Sequence, residues 1–348
     1  VMNFSFNLLQ WYALNKRDLP WRKTINPYYI WLSEIILQQT RVKQGLPYYL
    51  KFVKAFPKVQ DLALADEDKV LKLWQGLGYY SRARNLHFSA KFILENHNGK
   101  FPNNYEEILS LKGVGLYTAA AISSFSFQLP FAVVDGNVIR VLSRVFGIAT
   151  PFDSTEGKKQ FQLLAQDLLD KKNPAEHNQA IMEFGALQCI PKSPKCESCL
   201  FNNECVAFNT NEVLNLPIKS QKIKVKDRYL NFLVVNQKQQ ILLGKRNNGI
   251  WQGLYEFPFL EFKNNLSEDE VFKSAEWLGV FGKSKPIISS ISEEYIHKLS
   301  HQKIHAKFWE VEVESLNLDL FQIIDRTDLK KYPVSALIQK YLVAYNFE

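Results

Sequence analysis

The chain has 348 residues, of which 46% are hydrophobic and 14% aromatic, so it is too long for most single cores and can fill two. We find neither a signal peptide nor an apolar run of about eighteen residues, and therefore expect a cytoplasmic protein with no membrane partner. The net charge is +8, with 24 Lys and Arg against 18 Asp and Glu in residues 1–210 and 14 against 15 in residues 229–348. A basic first part favours a polyanionic partner.

The first part of the chain is predicted to be all-α. Apolar residues recur at three- and four-residue spacing from Phe4 to about Phe208. Asn26-Pro27 and Asn173-Pro174 are typical of an N-cap followed by a first-turn proline. The predicted helical segments are 27–38, 47–55, 68–77, 84–95, 116–126, 137–146, 158–169 and 177–188. We assign residues 1–208 to one helical domain.

The composition and the hydrophobic pattern of the sequence change after Cys205. Residues 209–228 are predicted to form an extended basic linker that contains Lys219, Lys222, Lys224 and Lys226. Period-two alternation then predicts strands, joined with helices into an α+β domain over residues 229–348. The predicted elements are strands at Tyr229–Val235, Ile241–Lys245, 287–296 and 303–313, a helix at 267–280 and a closing helix at 334–345.

A tight glycine turn separates two predicted helices at Leu111-Lys112-Gly113-Val114-Gly115. Such a turn points backbone N–H groups outward, and with the N-terminus of the next helix it can bind a phosphate oxygen. A plain helix-to-helix turn is the alternative. Gly113 and Gly115 are therefore candidate phosphate-binding residues.

Two acidic residues are candidates for chemistry. Glu34 lies between apolar residues in Trp31–Thr40, and desolvation raises a carboxyl pKa so that the group can act as an acid near neutral pH. Asp135 lies in Val133–Val138 just before a predicted helix, where it can also serve as an N-cap. A surface carboxylate is the ordinary alternative for Glu34.

The four cysteines fall within seventeen residues, at positions 189, 196, 199 and 205. This clustering favours a metal site over disulfides. Four thiolates suit tetrahedral zinc or an iron–sulfur cube, and the spacing of Cys189, Cys196, Cys199 and Cys205 does not by itself choose between them.

Together these features resemble the helix-hairpin-helix DNA glycosylase superfamily, and within it the MutY-type adenine DNA glycosylases. The resemblance covers most of residues 5–208, through Leu19–Arg22, Leu32–Gln39, Gly76–Leu86 and Asn178–Ala180. It implies a [4Fe–4S] cluster on the four cysteines, and double-stranded DNA with adenine opposite 8-oxoguanine as the substrate. It also implies a monomer associated with a bacterial-type nucleoid.

The same resemblance implies individual roles. Glu34 would protonate the base and then assist water, Asp135 would stabilise or transiently bond the sugar, and Tyr117 would help to hold the carboxylate. Three residues would reach into the duplex around the lesion pair, and two would contact the extruded adenine. The first set is Gln39, Leu77 and Tyr79, and the second is Arg22 and Gln179.

Strand nicking is not expected. Relatives that nick carry a lysine just after the hairpin, where it forms a Schiff base with the sugar. Tyr117 stands in that position here, and Lys112 precedes the first glycine. The family pattern therefore implies a monofunctional glycosylase.

Residues 243–258 resemble the Nudix-like domain of the MutY family. Lys273 and Trp277 replace two of the acids that a Nudix hydrolase needs, so we expect no pyrophosphatase activity. The family recognises 8-oxoguanine through a Phe-Ser-His turn. Ser300 and His301 match this turn, whereas Leu299 replaces the aromatic residue.

Two other functions stay open. A glycosylase on the same scaffold that removes thymine opposite guanine is the first, although such relatives generally lack a second domain. The second is a DNA-binding scaffold without catalysis, which the presence of both Glu34 and Asp135 disfavours.

Overall fold

The computed structural model describes residues 3–220, 225–282, 286–314, 316 and 318–345. The chain divides into two compact units: residues 1–64 with 85–221, and residues 65–84 with 222–348. Segment 65–84 thus clusters with the second unit, although it lies in the helical part of the sequence. Of the predicted linker lysines, Lys222 and Lys224 fall outside the described residues, and a strand begins at Lys226.

The first unit is built of helices, as predicted. The helices of residues 3–220 are α1 Phe4–Asn15, α2 Pro27–Leu37, α3 Val42–Ala55, α4 Val59–Ala63, α5 Glu67–Trp74, α6 Ser81–Asn96, α7 Tyr105–Ser110, α8 Leu116–Phe127, α9 Gly136–Phe146, α10 Thr155–Leu168, α11 Pro174–Leu187 and α12 Val206–Asn209. Of these, α5 belongs to the second unit and α6 begins there. Within the described part of the chain, no helix has both the length and the apolar character to cross a membrane.

The two predicted N-caps behave differently. Asn26 accepts a hydrogen bond from the Tyr28 amide at 3.0 Å, which satisfies one free N–H of α2. Asn173 occupies the N-cap position of α11, but its side chain donates to Asp170 at 3.0 Å instead. Capping by the Asn173 side chain was therefore a wrong prediction.

From residue 225 onward, the described residues of the second unit form a mixed sheet and three further α-helices. Its elements are β1 Lys226–Gln237, β2 Gln240–Lys245, β3 Tyr255–Glu256, β4 Phe259–Phe262, α13 Glu268–Lys273, α14 Ala275–Phe281, β5 Ile287–Ile291, β6 Tyr295–Lys298, β7 Gln302–Glu312, β8 Gln322–Asp325 and α15 Ala336–Ala344. The central strand order is β3-β2-β1-β7-β5, with β1 and β7 parallel. This confirms the predicted α+β class.

Both faces of the sheet are covered, because successive residues of a strand point to opposite faces. Phe232 of β1 lies in a core with α15, where Phe308 stacks on Tyr341 at 4.0 Å. Leu233, the next residue, lies in the core that contains Trp277 and Phe281 of α14.

Two predicted elements prove to be divided. The predicted helix 267–280 breaks at Ser274, whose backbone is extended and whose hydroxyl accepts from the Trp277 amide to cap α14. The predicted strand 287–296 is interrupted after Ile291, so that β5 and β6 pair separately with β7. Ser292 accepts a hydrogen bond from the Phe308 amide at this break.

Candidate active site

Helix α2 buries Glu34. Its neighbours in the helix include the buried apolar residues Ile30, Trp31 and Ile35, and Glu34 itself is 7% exposed. Burial disfavours the charged carboxylate and raises the pKa of Glu34 to about 7, with the negative charge of Asp135 adding to the effect. A hydrogen bond with Tyr117 and the charge of Arg22 oppose the rise. Glu34 can therefore hold or release a proton near neutral pH.

Asp135 is fixed at the start of α9. One carboxylate oxygen accepts from the Asn137 and Val138 amides at 2.9 and 2.8 Å, and the other accepts from the Asn137 side chain at 2.8 Å. Its predicted role as an N-cap is confirmed. Burial raises the pKa of Asp135, while these hydrogen bonds favour the ionised form. The carboxylate is therefore held rigidly at one position.

Tyr117, in the first turn of α8, contacts Glu34 through the hydrogen bond noted above. Its hydroxyl also donates to Met182 Sδ at 3.9 Å. Burial and the two nearby carboxylates raise the pKa of Tyr117 well above its usual value, so it stays a neutral donor.

A buried carboxylate orients Arg22. Both oxygens of Glu183, on α11, accept from the Arg22 guanidinium at 2.8 Å, and Arg17 bonds the same carboxylate. These two arginines hold the pKa of Glu183 down at about 2 despite its burial. Arg22 also lies over the Tyr12 ring at 5.6 Å. Its direction is therefore fixed from two sides.

The candidate catalytic and adenine-binding side chains line one cavity in the first unit. The cavity has a volume of about 790 Å³, counting the part open to solvent, and Glu34, Asp135, Tyr117, Arg22 and Gln179 all face it. Gln179 accepts a hydrogen bond from the Tyr12 hydroxyl at 2.7 Å, which sets the orientation of its amide.

The glycine turn joins α7 to α8. Gly113 has φ +85°, and a Cβ there would lie 2.8 Å from Cβ of Asn85, so only glycine fits without strain. Gly115 is the N-cap residue of α8, with Val114 buried between the two glycines. Lys112 lies over the Phe88 ring at 4.5 Å. The first amides of α8 have no carbonyl partner within the helix, as at every helix N-terminus.

The four cysteines line a second cavity, of about 370 Å³ with its open part. All are free thiols, and the Arg144 guanidinium, 3% exposed, lies 3.5 Å from Cys189 Sγ. Arg144 also donates to Ile190 O and Pro191 O, which ties the cysteine loop to α9. Convergence of four thiols beside a buried cation fits an anionic thiolate-bound metal centre. In the described ranges, no three His, Cys, Asp or Glu side chains form a site for a single metal ion.

The residues predicted to enter the duplex lie in different surroundings. Gln39, in the first unit, is exposed with φ +54°. Tyr79, in the second unit, is 47% exposed with φ +48°, whereas Leu77 is buried at 6% exposure. A positive φ is uncommon for residues with side chains, and such strain clusters at functional sites.

Ser300 and His301 form the two-residue turn between β6 and β7. Leu299 closes the turn by donating from its amide to Gln302 O at 2.8 Å. The Tyr79 hydroxyl and Ser300 Oγ are 2.8 Å apart. The second unit therefore brings together two candidate residues that are 221 positions apart in the sequence.

Comparison with known proteins identifies the family. Residues 32–168 match the HhH-GPD superfamily of base excision DNA repair proteins, and residues 231–344 match the NUDIX domain. The adenine DNA glycosylase of Buchnera aphidicola subsp. Baizongia pistaciae is 38% identical over 312 residues, spanning 87% of this chain and 84% of the relative. The chain belongs to the adenine DNA glycosylase family.

The family relationship extends to eukaryotes. The adenine DNA glycosylase of Mus musculus is 34% identical over 87% of this chain and 69% of its own length. Among solved structures, a thermostable thymine-DNA glycosylase is 31% identical with a TM-score of 0.56, over 60% of this chain and 95% of that one. Endonuclease III in a non-covalent DNA complex shares the fold at 20% identity, with a TM-score of 0.52 over 60% of this chain and 94% of that one.

Sequence patterns did not single out Glu183, Tyr12 or Asn137. In the sequence, Glu183 has the pattern of an ordinary solvent-exposed acid on a helix. It follows Gln179 by four residues, however, and therefore lies on the same helix face. That spacing was the available signal. The partners of Glu183, Arg17 and Arg22, lie more than 160 residues away, and no local pattern reveals such a pair.

Proposed function

We propose that this chain is a monofunctional adenine DNA glycosylase of base excision repair, which hydrolyses the glycosidic bond of adenine opposite 8-oxoguanine or guanine. One observation carries the proposal: the Glu34 carboxyl, with its pKa raised to about 7, faces the same cavity as the fixed Asp135 carboxylate. An acid and an anion on one cavity are the groups that glycosidic cleavage needs. The names of the curated relatives support adenine as the base.

The reaction begins with an extruded adenine, since the glycosidic bond cannot be reached inside the stacked duplex. Glu34 donates its proton to a ring nitrogen, and the bonding electron pair leaves with the base. The sugar carbon becomes cationic and is stabilised by, or transiently bonded to, Asp135. Water then adds to this carbon and returns a proton to Glu34, so that the products are adenine and an abasic site.

Arg22 and Gln179 are proposed to bind the extruded adenine. Adenine offers ring-nitrogen acceptors and an exocyclic amine, which complement a guanidinium donor and an amide oxygen. Both side chains are held in place before substrate arrives, by Glu183 and Tyr12 respectively. Preorganisation of this kind lowers the entropic cost of binding.

The absence of a lyase step follows from the side chain at position 117. Tyr117 is a neutral phenol beside Glu34 and has no amine with which to form a Schiff base. Lys112 precedes the turn and packs on Phe88. Strand cleavage is therefore expected only after added alkali.

The lesion strand is proposed to be recognised by the second unit. Ser300 and His301 would hydrogen-bond the oxidised edge of 8-oxoguanine, with Tyr79, Leu77 and Gln39 at the base stack. The thymine-DNA glycosylase relative corresponds to only 60% of this chain. The adenine DNA glycosylase of Buchnera aphidicola subsp. Baizongia pistaciae corresponds to 87% of this chain, and this wider correspondence favours the adenine hypothesis.

DNA binding would use the Gly113–Gly115 turn, whose amides can hold a phosphate of the duplex. The partner is double-stranded DNA, bound by a monomer in a bacterial-type cytoplasm. The cysteine cavity would hold a [4Fe–4S] cluster on Cys189, Cys196, Cys199 and Cys205. When bound, the cluster closes the loop between α11 and α12 and is assigned no step of the reaction.

Single-turnover excision on duplexes with adenine opposite 8-oxoguanine, adenine opposite guanine and thymine opposite guanine tests the function. We expect both adenine duplexes to be processed, and Glu34→Gln or Asp135→Asn to lower the rate at least about 100-fold while DNA binding persists. Glu176→Gln, an exposed change on α11, is the matched control and should keep full activity. Preference for the thymine duplex, or nicking without alkali, contradicts the proposal.

A further inference from the structure

One side of helix α5, continued by its C-cap residue Gln75, is polar. Asp68, Lys72 and Gln75 recur at spacings of four and three residues, which places them on the same side of a helix. Asp68 accepts from Lys245 Nζ at 2.6 Å with one oxygen and from the Tyr255 hydroxyl at 2.9 Å with the other. Lys245 ends β2 and Tyr255 starts β3, so a single carboxylate ties α5 to the edge of the sheet.

The rest of this face bonds the chain before α15. Lys72 Nζ donates to Tyr332 O at 2.9 Å, and Gln75 Oε1 accepts from the Val334 amide at 3.2 Å. The Tyr80 hydroxyl donates to Val334 O at 3.4 Å. Gln75 therefore fixes the end of α5, and Tyr80 fixes the residues just beyond the following turn.

Backbone packing adds a second line of contact. A Cβ on Gly253 would lie 3.1 Å from Leu71 Cδ1, and the φ of Gly253 is +83°. Arg84, in the first turn of α6, donates to the carbonyl of Gln252. The loop between β2 and β3 is thus closely packed on both sides of the turn that connects α5 to α6.

That connecting turn carries Tyr79. It is held internally, because Trp74 Nε1 donates to Gly78 O at 3.0 Å and the Gly76 amide donates to the Tyr80 hydroxyl at 3.2 Å. At its tip, the Tyr79 hydroxyl meets Ser300 Oγ at 2.8 Å. The polar face of α5, the turn and the β6–β7 turn therefore form one connected arrangement.

We propose that the polar face of α5 is a specificity-determining surface, in which Asp68, Lys72 and Gln75 act as positioning residues that set Tyr79 against Ser300. The proposal rests on the proposed function and deepens it. Recognition of the oxidised base would depend on the position of Tyr79 relative to Ser300, because a hydrogen-bonding group displaced by about 1 Å no longer meets its partner well. None of the three side chains needs to touch DNA.

Substitution of Asp68 can distinguish a positioning role from a contribution to the stability of the fold. Asp68 and Lys245 are 39% and 37% exposed, and ion pairs with such exposure contribute little to folding. Loss of the Asp68 carboxylate should therefore leave the melting temperature almost unchanged. A residue with a merely structural role would lower stability and slow all substrates equally.

The test uses full-length Asp68→Ala and Asp68→Asn with Asp66→Asn as control, an exposed acid at the N-cap of the same helix that forms no capping hydrogen bond. Single-turnover excision of adenine is measured opposite 8-oxoguanine and opposite guanine. For Asp68→Ala we expect the preference for 8-oxoguanine to fall roughly tenfold, with the rate opposite guanine and the melting temperature retained. Asp68→Asn keeps an acceptor for Tyr255 and should lose less, while Asp66→Asn should match the wild type.

A double-mutant cycle with Ser300→Ala tests whether Asp68 acts through the Tyr79–Ser300 contact. If Asp68 acts through the Tyr79–Ser300 contact, the loss caused by Asp68→Ala should disappear in the Ser300→Ala background. Additive losses, full preference in Asp68→Ala, or equal slowing on both duplexes overturns the proposal. A wild type that excises no adenine refutes the proposed function instead. One that excises adenine without preference refutes this inference and the proposed recognition of 8-oxoguanine, but leaves adenine excision as the function.

Discussion

At Glu34, the proposed catalytic function and the stability of the fold conflict. A carboxyl in an apolar helix is unfavourable when ionised, because burial removes the water that stabilises the charge. The same desolvation raises its pKa to about 7, which keeps a proton available for the proposed protonation of the leaving base. Such opposition between stability and activity is common at catalytic groups.

The first prediction concerns the pH dependence of stability. The folded-state pKa of Glu34 is above its unfolded value of 4.5. The contribution of protonated Glu34 to the free energy of unfolding is therefore fully present below pH 4.5 and is lost as the pH rises to about 7. Glu34→Gln, which cannot ionise, should therefore be more stable than the wild type at pH 8, by roughly 3 kcal/mol. At pH 4.5 the two proteins should differ little.

Chemical denaturation of both proteins from pH 4.5 to 8 measures this difference. Glu176→Gln, on the surface of α11, controls for the loss of any carboxylate. Equal stability of Glu34→Gln and wild type at pH 8 would mean that the Glu34 carboxyl is solvated. The single-turnover rate of the wild type should also fall as the pH rises above about 7, since the acid is then ionised.

At the scale of elements, α11 organises the cavity from one face. Gln179 and Glu183 stand one turn apart on it, and they hold Tyr12 of α1 and the arginines that follow α1. Glu183 is buried, and its low pKa shows that the two arginines more than offset the desolvation of its charge. Glu183 thereby orients Arg22, while Gln179 of the same helix is proposed to contact the adenine.

The second prediction concerns removal of the Glu183 charge. Glu183→Gln should destabilise the protein by about 3 kcal/mol at pH 7, because breaking a buried pair leaves Arg22 uncompensated. It should also slow adenine excision, since Arg22 loses both of its 2.8 Å contacts. The measurements are thermal unfolding and single-turnover excision, again with Glu176→Gln as the control. Full activity in a folded Glu183→Gln would mean that Arg22 needs no such support.

The sequence predicted elements well where local signals are complete. Helix α2 has a capping asparagine, a first-turn proline and an apolar run, and its observed start agrees with the prediction. Ser274 lies inside an apolar pattern that continues through α13 and α14, so periodicity alone could not reveal the break. The cap that Ser274 makes to Trp277 favours two short helices over one.

The candidate site was predictable to the extent that it rests on motifs. Glu34, Asp135 and the four cysteines stand out by type and spacing, whereas the Arg22–Glu183 pair and the Asp68 contacts join segments far apart in the sequence. Long-range polar contacts leave no periodic trace. They depend on how two packed surfaces meet, which a single sequence does not specify locally.

At the scale of the whole molecule, the two units differ in what stabilises them. The second unit has a sheet with a hydrophobic core on each face. In the first unit, residues 189–205 contain four cysteines and no long helix, and Arg140 and Arg144 of α9 hold this loop through its carbonyl groups. A loop with so little regular structure needs a further source of stability, which the proposed cluster would supply.

The third prediction is that loss of the cluster affects one unit selectively. The protein should contain four irons per chain, and Cys199→Ser should lower the melting temperature of the first unit because the loop can no longer close around the metal. The second unit contains none of the cysteines and should melt as in the wild type, so calorimetry should resolve two transitions of which only one shifts.

Ser198→Ala, an exposed neighbour in the same loop, is the matched control and should shift neither. One zinc and no iron per chain would refute the iron–sulfur assignment, and an unchanged first transition in Cys199→Ser would refute the stabilising role.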